Sequence, residues 1–103
     1  AANYYNVKPK QSAGDIVVKD IDAQQARKLG ISNGVIITSL NEDTQAYKKG
    51  LREGHVIVLL NNKAVNNEND FYRIYDKIKK GDLMAVKVVL PNGSNFIAFA
   101  KSE

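Results

Sequence analysis

A single histidine, no cysteine and scattered carboxylates bound the chemistry open to this chain. Nucleophilic hydrolysis needs a general base hydrogen-bonded to its nucleophile, and the one imidazole, His55, opens an apolar run without the partner constellation of a triad. It reads as a surface residue at a loop-to-strand junction. A metal site fares no better, since one histidine and no thiolate leave carboxylates without ligand spacing. The glycines Gly30, Gly34, Gly50, Gly54, Gly81 and Gly93 stand singly at predicted element boundaries, so no glycine-rich loop cradles a phosphate. No catalytic residue, cofactor or metal is assigned, and binding is the chemistry that remains.

The elements that must position any binding surface follow from local signals. Asp15 to Lys19 is a short β-branched run. Asp22 is a good N-cap for a helix over Ala23 to Leu29, which Gly30 stops. Asn33 and Gly34 mark a turn before a strand over Val35 to Leu40. Thr44 caps a brief helix through Gln45, Ala46, Tyr47 and Lys48, and His55 to Leu60 is a further buried strand. Asn61 and Asn62 suit the left-handed conformations of a tight hairpin, with Lys63 to Val65 as a short return. After Asn67 comes the longest helix, with Glu68 and Asp70 in its first turn and Phe71, Ile74, Tyr75 and Ile78 at i, i+3, i+4 and i+7. Leu83 to Leu90 and Asn95 to Ala100 form two strands joined by residues 91–94, where Asn92 and Gly93 are the hairpin signal. The fold class expected is mainly β with two to three helices, a small, partly open barrel or sandwich capped by helices.

Composition agrees with one such domain. A chain of 103 residues buries roughly two thirds of the surface it exposes when unfolded, enough for one core. Hydrophobic residues make up 44% and charged ones 25%, an ordinary globular balance. No apolar run approaches the ~20 residues that cross a bilayer, and direct membrane insertion is not expected. Residues 1–13, with Pro9 and no sustained periodicity, read as a linker or flexible arm, and 14–103 as the folded domain. The net charge of +4 is interleaved with acids, and its dense spots fall at helix C-termini, where cations complement the dipole; nucleic acid is not expected as a partner.

From Leu29 the chain runs Leu-Gly-Ile-Ser-Asn-Gly-Val-Ile-Ile-Thr, then Ala-Tyr-Lys-Lys-Gly-Leu from Ala46, then Arg-Glu-Gly-His-Val-Ile-Val-Leu-Leu-Asn-Asn-Lys-Ala-Val from Arg52 to Val65. With the helix start at Asn69, Asp70 and Phe71, this ordered series resembles the PDZ domains of HtrA-type (Deg, DegP-like) periplasmic serine proteases. The ending from Leu90, Leu-Pro-Asn-Gly-Ser-Asn-Phe-Ile-Ala-Phe-Ala, is similar to the second, C-terminal PDZ domain of such proteases. The resemblance covers Gly14 to about Ala100. The chain departs from it with His55 where an aspartate is usual, with Lys49 before Gly50 where an alanine is usual, and with Asp15 at the glycine of the terminus-binding loop.

The resemblance implies a non-catalytic regulatory domain of a periplasmic trypsin-like endopeptidase engaged in protein quality control. Its partners would be extended or C-terminal peptides of unfolded proteins, its own protease domain and neighbouring protomers. By β-augmentation, a guest strand would pair with the edge Gly14, Asp15, Ile16, Val17, Val18 and Lys19 and meet Phe71, Ile74, Tyr75 and Ile78 on the helix. Tyr75 is expected to offer its ring to a peptide side chain, and Tyr72 to be ordinary surface. A terminal carboxylate would sit on the N–H groups of residues 14–16, helped by Lys10 or Lys19. An Asp15 side chain facing it at about 5 Å would repel it by roughly 3 kcal/mol at an effective dielectric near 20, about a hundredfold in affinity. The alternative is a structural PDZ domain that mediates interdomain or oligomer contacts, its groove occluded.

Overall fold

A computed structural model describes residues 15–102; the expected arm over 1–13, and Gly14 with it, lie outside the described residues. The order is β1 (Ile16–Asp20), α1 (Ala23–Leu29), β2 (Val35–Leu40), α2 (Gln45–Lys48), β3 (Val56–Leu60), β4 (Lys63–Ala64), α3 (Glu68–Lys77), β5 (Leu83–Leu90) and β6 (Gly93–Ala100). The strands form one antiparallel sheet ordered β1-β2-β3-β5-β6, with β4 paired to the end of β3. Mainly β with three helices among the described residues, it matches the expected class. Among the described residues no helix is long and apolar enough to cross a membrane.

Each helix begins where a side chain supplies an acceptor for its unpaired first-turn N–H groups. Asp22 accepts from the Gln25 N–H at 2.8 Å while the Gln25 side chain accepts from the Asp22 N–H, a reciprocal capping box. Thr44 caps α2 through the Tyr47 N–H, and Asn67 caps α3 through the Asp70 N–H at 2.9 Å. Gly30 ends α1 at φ 70°, a left-handed position that costs glycine nothing. The C-terminal end of α3 is satisfied from outside: Lys101, buried, donates from Nζ to the carbonyls of Tyr75 at 2.8 Å and Ile78 at 2.6 Å.

Turn chemistry fixes the hairpins. Asn61 and Asn62 adopt φ 50° and 67°, as their type allows, and the Asn61 Oδ1 accepts from the Ala85 N–H at 2.7 Å, tying that turn to β5. The last hairpin is two residues tighter than expected. Leu90 pairs with Gly93, leaving Pro91 and Asn92 at the tip. Proline sets the φ that the first central position of a common turn requires, so it, rather than the Asn92–Gly93 pair, takes the corner.

The core lies between the sheet and α3, around Val18, Val35, Ile37, Leu51, Ile57, Leu60, Phe71, Met84, Val86 and Val88. A register shift between Val17 and Val18 leaves Thr38 as an extra residue of β2, and its hydroxyl donates to the Val17 carbonyl. Such a bulge raises local twist. Where β2 meets β3, Gly34 has its Cα against the opposing backbone: a Cβ there would lie 3.0 Å from the Ile57 carbonyl oxygen and 3.3 Å from Val58 Cγ1. Gly34→Ala should therefore lower unfolding stability by about 1–3 kcal/mol, as overpacking does. Urea denaturation measures it, and an unchanged midpoint would mean that β3 yields to the methyl without strain.

Candidate functional site at the edge of strand β1

Among the described residues, strand β1 ends the sheet, so one of its sides pairs with β2 while the other must find acceptors elsewhere. Helix α3 packs on that open side. The buried Val18 N–H donates to the Tyr72 hydroxyl oxygen at 2.9 Å. Two residues on, the Asp20 N–H donates to Glu68 Oε2 at 3.3 Å, and the Asp20 carboxylate accepts from the Glu68 N–H at 2.7 Å. Alternate residues of a strand point their N–H groups to the same side, so Val18 and Asp20 present the same edge. Side chains one helical turn apart, Glu68 and Tyr72, meet it.

Tyr72 is only 5% exposed, a correction to the surface role expected of it. Its ring stands edge-on to Phe71 with centroids 5.2 Å apart. Burial pushes its hydroxyl above the ordinary tyrosine range; the Val18 N–H partly offsets this, and the negative charges of Glu68 and Asp76 add to it. The hydroxyl therefore stays neutral.

The other wall residues divide among separate tasks. Phe71 is fully buried, stacked on Tyr75 at 5.6 Å, and belongs to the core. Tyr75 turns toward the end of the chain, its ring 4.2 Å beneath Lys101 Nζ. Ile74 and Ile78 line a cleft of about 270 Å³ with Asn61, Lys63, Ala64, Arg73 and Lys77, beside the Asn61–Asn62 turn. Ile16 and Val18 point their side chains into the core, Val17 is half-buried and Lys19 exposed. The structure thus brings β1 together with Glu68 and Tyr72, residues that the apolar periodicity passed over. Only their i, i+4 spacing to each other and to Asp76 could have found them.

Asp15 is half-buried; its carboxylate accepts from Asn41 Nδ2 at 3.2 Å, and its carbonyl accepts from the Asn41 N–H at 3.0 Å. Because Asn41 follows β2, these bonds draw Asp15 to the β2 side of the strand, away from α3.

The segment Gly30-Ile31-Ser32-Asn33-Gly34 carries the letters of a nucleophile elbow, Gly-x-Ser-x-Gly. Here it runs from a helix into a strand, the reverse of the strand-to-helix turn that exposes such a serine. His55 Nδ1 is engaged locally, accepting from the Arg52 N–H at 3.3 Å. Among the described residues no three His, Asp or Glu side chains gather to hold a metal.

Comparison with known proteins joins this geometry to a family. No family model matches the chain. A protein of Pseudomonas putida strain F1 named "Probable periplasmic serine endoprotease DegP-like" is 32% identical over 88 residues, covering 85% of this chain and 18% of that protein. A protein of the same name from Marinomonas sp. strain MWYL1 is 32% identical over 84 residues. Among solved structures, the HtrA3 PDZ domain bound to a phage-derived ligand superposes with a TM-score of 0.69 at 14% identity, over 84% of this chain and 81% of that one. The HtrA-type protease AlgW with a decapeptide gives 0.72 at 17% identity, over 85% and 28%. The chain is a PDZ domain of the HtrA type.

This PDZ domain spans about a fifth of the length of the curated relatives that it matches. Their names place them in the periplasm, which supports the same location for it. At the family's usual aspartate position it carries His55, whose imidazole burial holds below its ordinary value, with the Arg52 charge adding to the effect. The sign follows. As pH falls below about 6.5 the unfolded chain takes up this proton before the folded one, so native stability is lost from there down through the folded-state value. The fall in Tm between pH 7 and pH 5 should be smaller in His55→Gln than in the native chain; equal falls would show that His55 contributes nothing.

Proposed function

We propose that this PDZ domain is a non-catalytic peptide-docking module of an HtrA-like serine protease, taking extended segments of unfolded chains by β-augmentation along β1. One observation carries the reading. Among the described residues, the outward N–H groups of Val18 and Asp20 on β1 are met by side-chain oxygens, from Tyr72 and Glu68, where a neighbouring strand would offer carbonyls. A guest strand can replace both. The peptide-bound HtrA-type neighbours lend the reading support by fold. With Asp15 drawn toward Asn41, its carboxylate is turned from the edge, and internal segments are accommodated as readily as termini.

The protease that this domain would serve, and its place as the second PDZ domain of that enzyme, belong to the same proposal. So does the domain boundary at residue 14. A second reading has its own observation in favour: the buried Tyr72 hydroxyl already satisfies Val18, as in a domain that holds neighbouring domains or protomers together and needs no guest.

Peptide titration followed by amide spectra separates the two. Hydrophobic peptides with free and with amidated C-termini should both move the resonances of residues 16–20 and 68–76, at high micromolar to millimolar concentration given about 1 kcal/mol net for each strand hydrogen bond. If those amides stay unmoved by either peptide at millimolar concentration, recognition is lost and the assembly role stands. Light scattering of a longer protease chain with and without residues 14–103 then measures that role.

A further inference from the structure

The acceptors on α3 are spaced as those of a strand would be. Four helical residues rise about 6 Å, and two strand residues span about 6.6 Å, so Tyr72 and Glu68 can meet the alternate donors Val18 and Asp20 together. Their order is also strand-like: as β1 runs from Val18 to Asp20, the helix runs back from Tyr72 to Glu68, the sense of an antiparallel partner.

Closing the edge this way has a consequence for what can open it. A guest carbonyl that takes the Asp20 N–H releases the Glu68 carboxylate, while the Asp20 carboxylate remains on the Glu68 N–H. Two carboxylates are then left side by side at one end of the seam, with Asp76 a turn beyond Tyr72 on the helix. A cation on the guest is the group that compensates them. A carboxylate there adds repulsion instead.

Resting on the recognition reading above, we infer that Tyr72 and Glu68 serve as a built-in substitute for a guest strand. Ligands must displace them, and the edge selects extended segments that bring a lysine or arginine to Glu68.

The test uses the 103-residue chain, its Tyr72→Phe and Glu68→Gln variants, and two amidated decapeptides that alternate apolar residues with lysine or with glutamate. Tyr72→Phe keeps the ring in the core and removes only the acceptor. Without peptide, hydrogen exchange at the Val18 amide should quicken in this variant by about two- to tenfold, the worth of one net hydrogen bond, and the lysine peptide should bind more tightly by a similar factor. The native chain should prefer lysine to glutamate peptide by about tenfold, and Glu68→Gln should reduce that preference to about threefold or less, because each exposed charge contact contributes only severalfold. Native-like Val18 exchange and affinity in Tyr72→Phe, or an undiminished lysine preference in Glu68→Gln, overturns the inference while leaving recognition intact. Binding of neither peptide by any of the three proteins overturns the recognition reading itself.

Discussion

A strand at the edge of a sheet cannot leave buried N–H groups unpaired, since each would cost about 1–3 kcal/mol. That constraint organises this domain. Strand β1 uses one side on β2, and the Val18 N–H on its other side is buried, so an acceptor must come from helix α3. The capping of α3 by Asn67, the bulge at Thr38 and the anchoring of the helix end by Lys101 all fix the position from which Tyr72 and Glu68 reach the strand. A domain built this way keeps its edge covered and still holds the pattern of donors that a guest strand would recognise under the proposed function.

The same helix serves two masters. Phe71, Ile74 and Tyr75 bury the apolar face that gives the fold its core, and the neighbouring stripe of Glu68 and Tyr72 meets the strand edge. Because Phe71 contacts Tyr72 directly, the position of the edge acceptor is coupled to core packing. On the proposed reading, opening the seam displaces the Tyr72 and Glu68 side chains against a fixed frame.

Local punctuation made most of the fold legible in the sequence. Asp22 with Gln25, Thr44 and Asn67 mark helix starts through their side-chain acceptors, and Asn61 with Asn62 marks a turn through left-handed backbone angles. These signals depend on a few adjacent residues. At Pro91 two local preferences compete, and the proline wins the corner from the Asn92–Gly93 pair. The candidate binding surface was legible only as to elements. Apolar periodicity finds the core-facing side of α3, and it named Phe71, Ile74, Tyr75 and Ile78. Tyr72 and Glu68 belong to a mixed stripe that looks like solvent-facing surface until a strand edge with donors of matching spacing is set against it. That pairing joins residues 54 and 48 positions apart. It is a tertiary fact.

The central claim is that a guest enters between β1 and α3. An extended lysine-bearing peptide with a nitroxide at its midpoint tests it most directly, through the paramagnetic broadening that it causes in the amide spectrum. The account predicts that broadening centres on residues 16–20 and on Tyr72. Broadening centred instead on residues 61–64 and Lys77, around the cleft lined by Ile74 and Ile78, would contradict it.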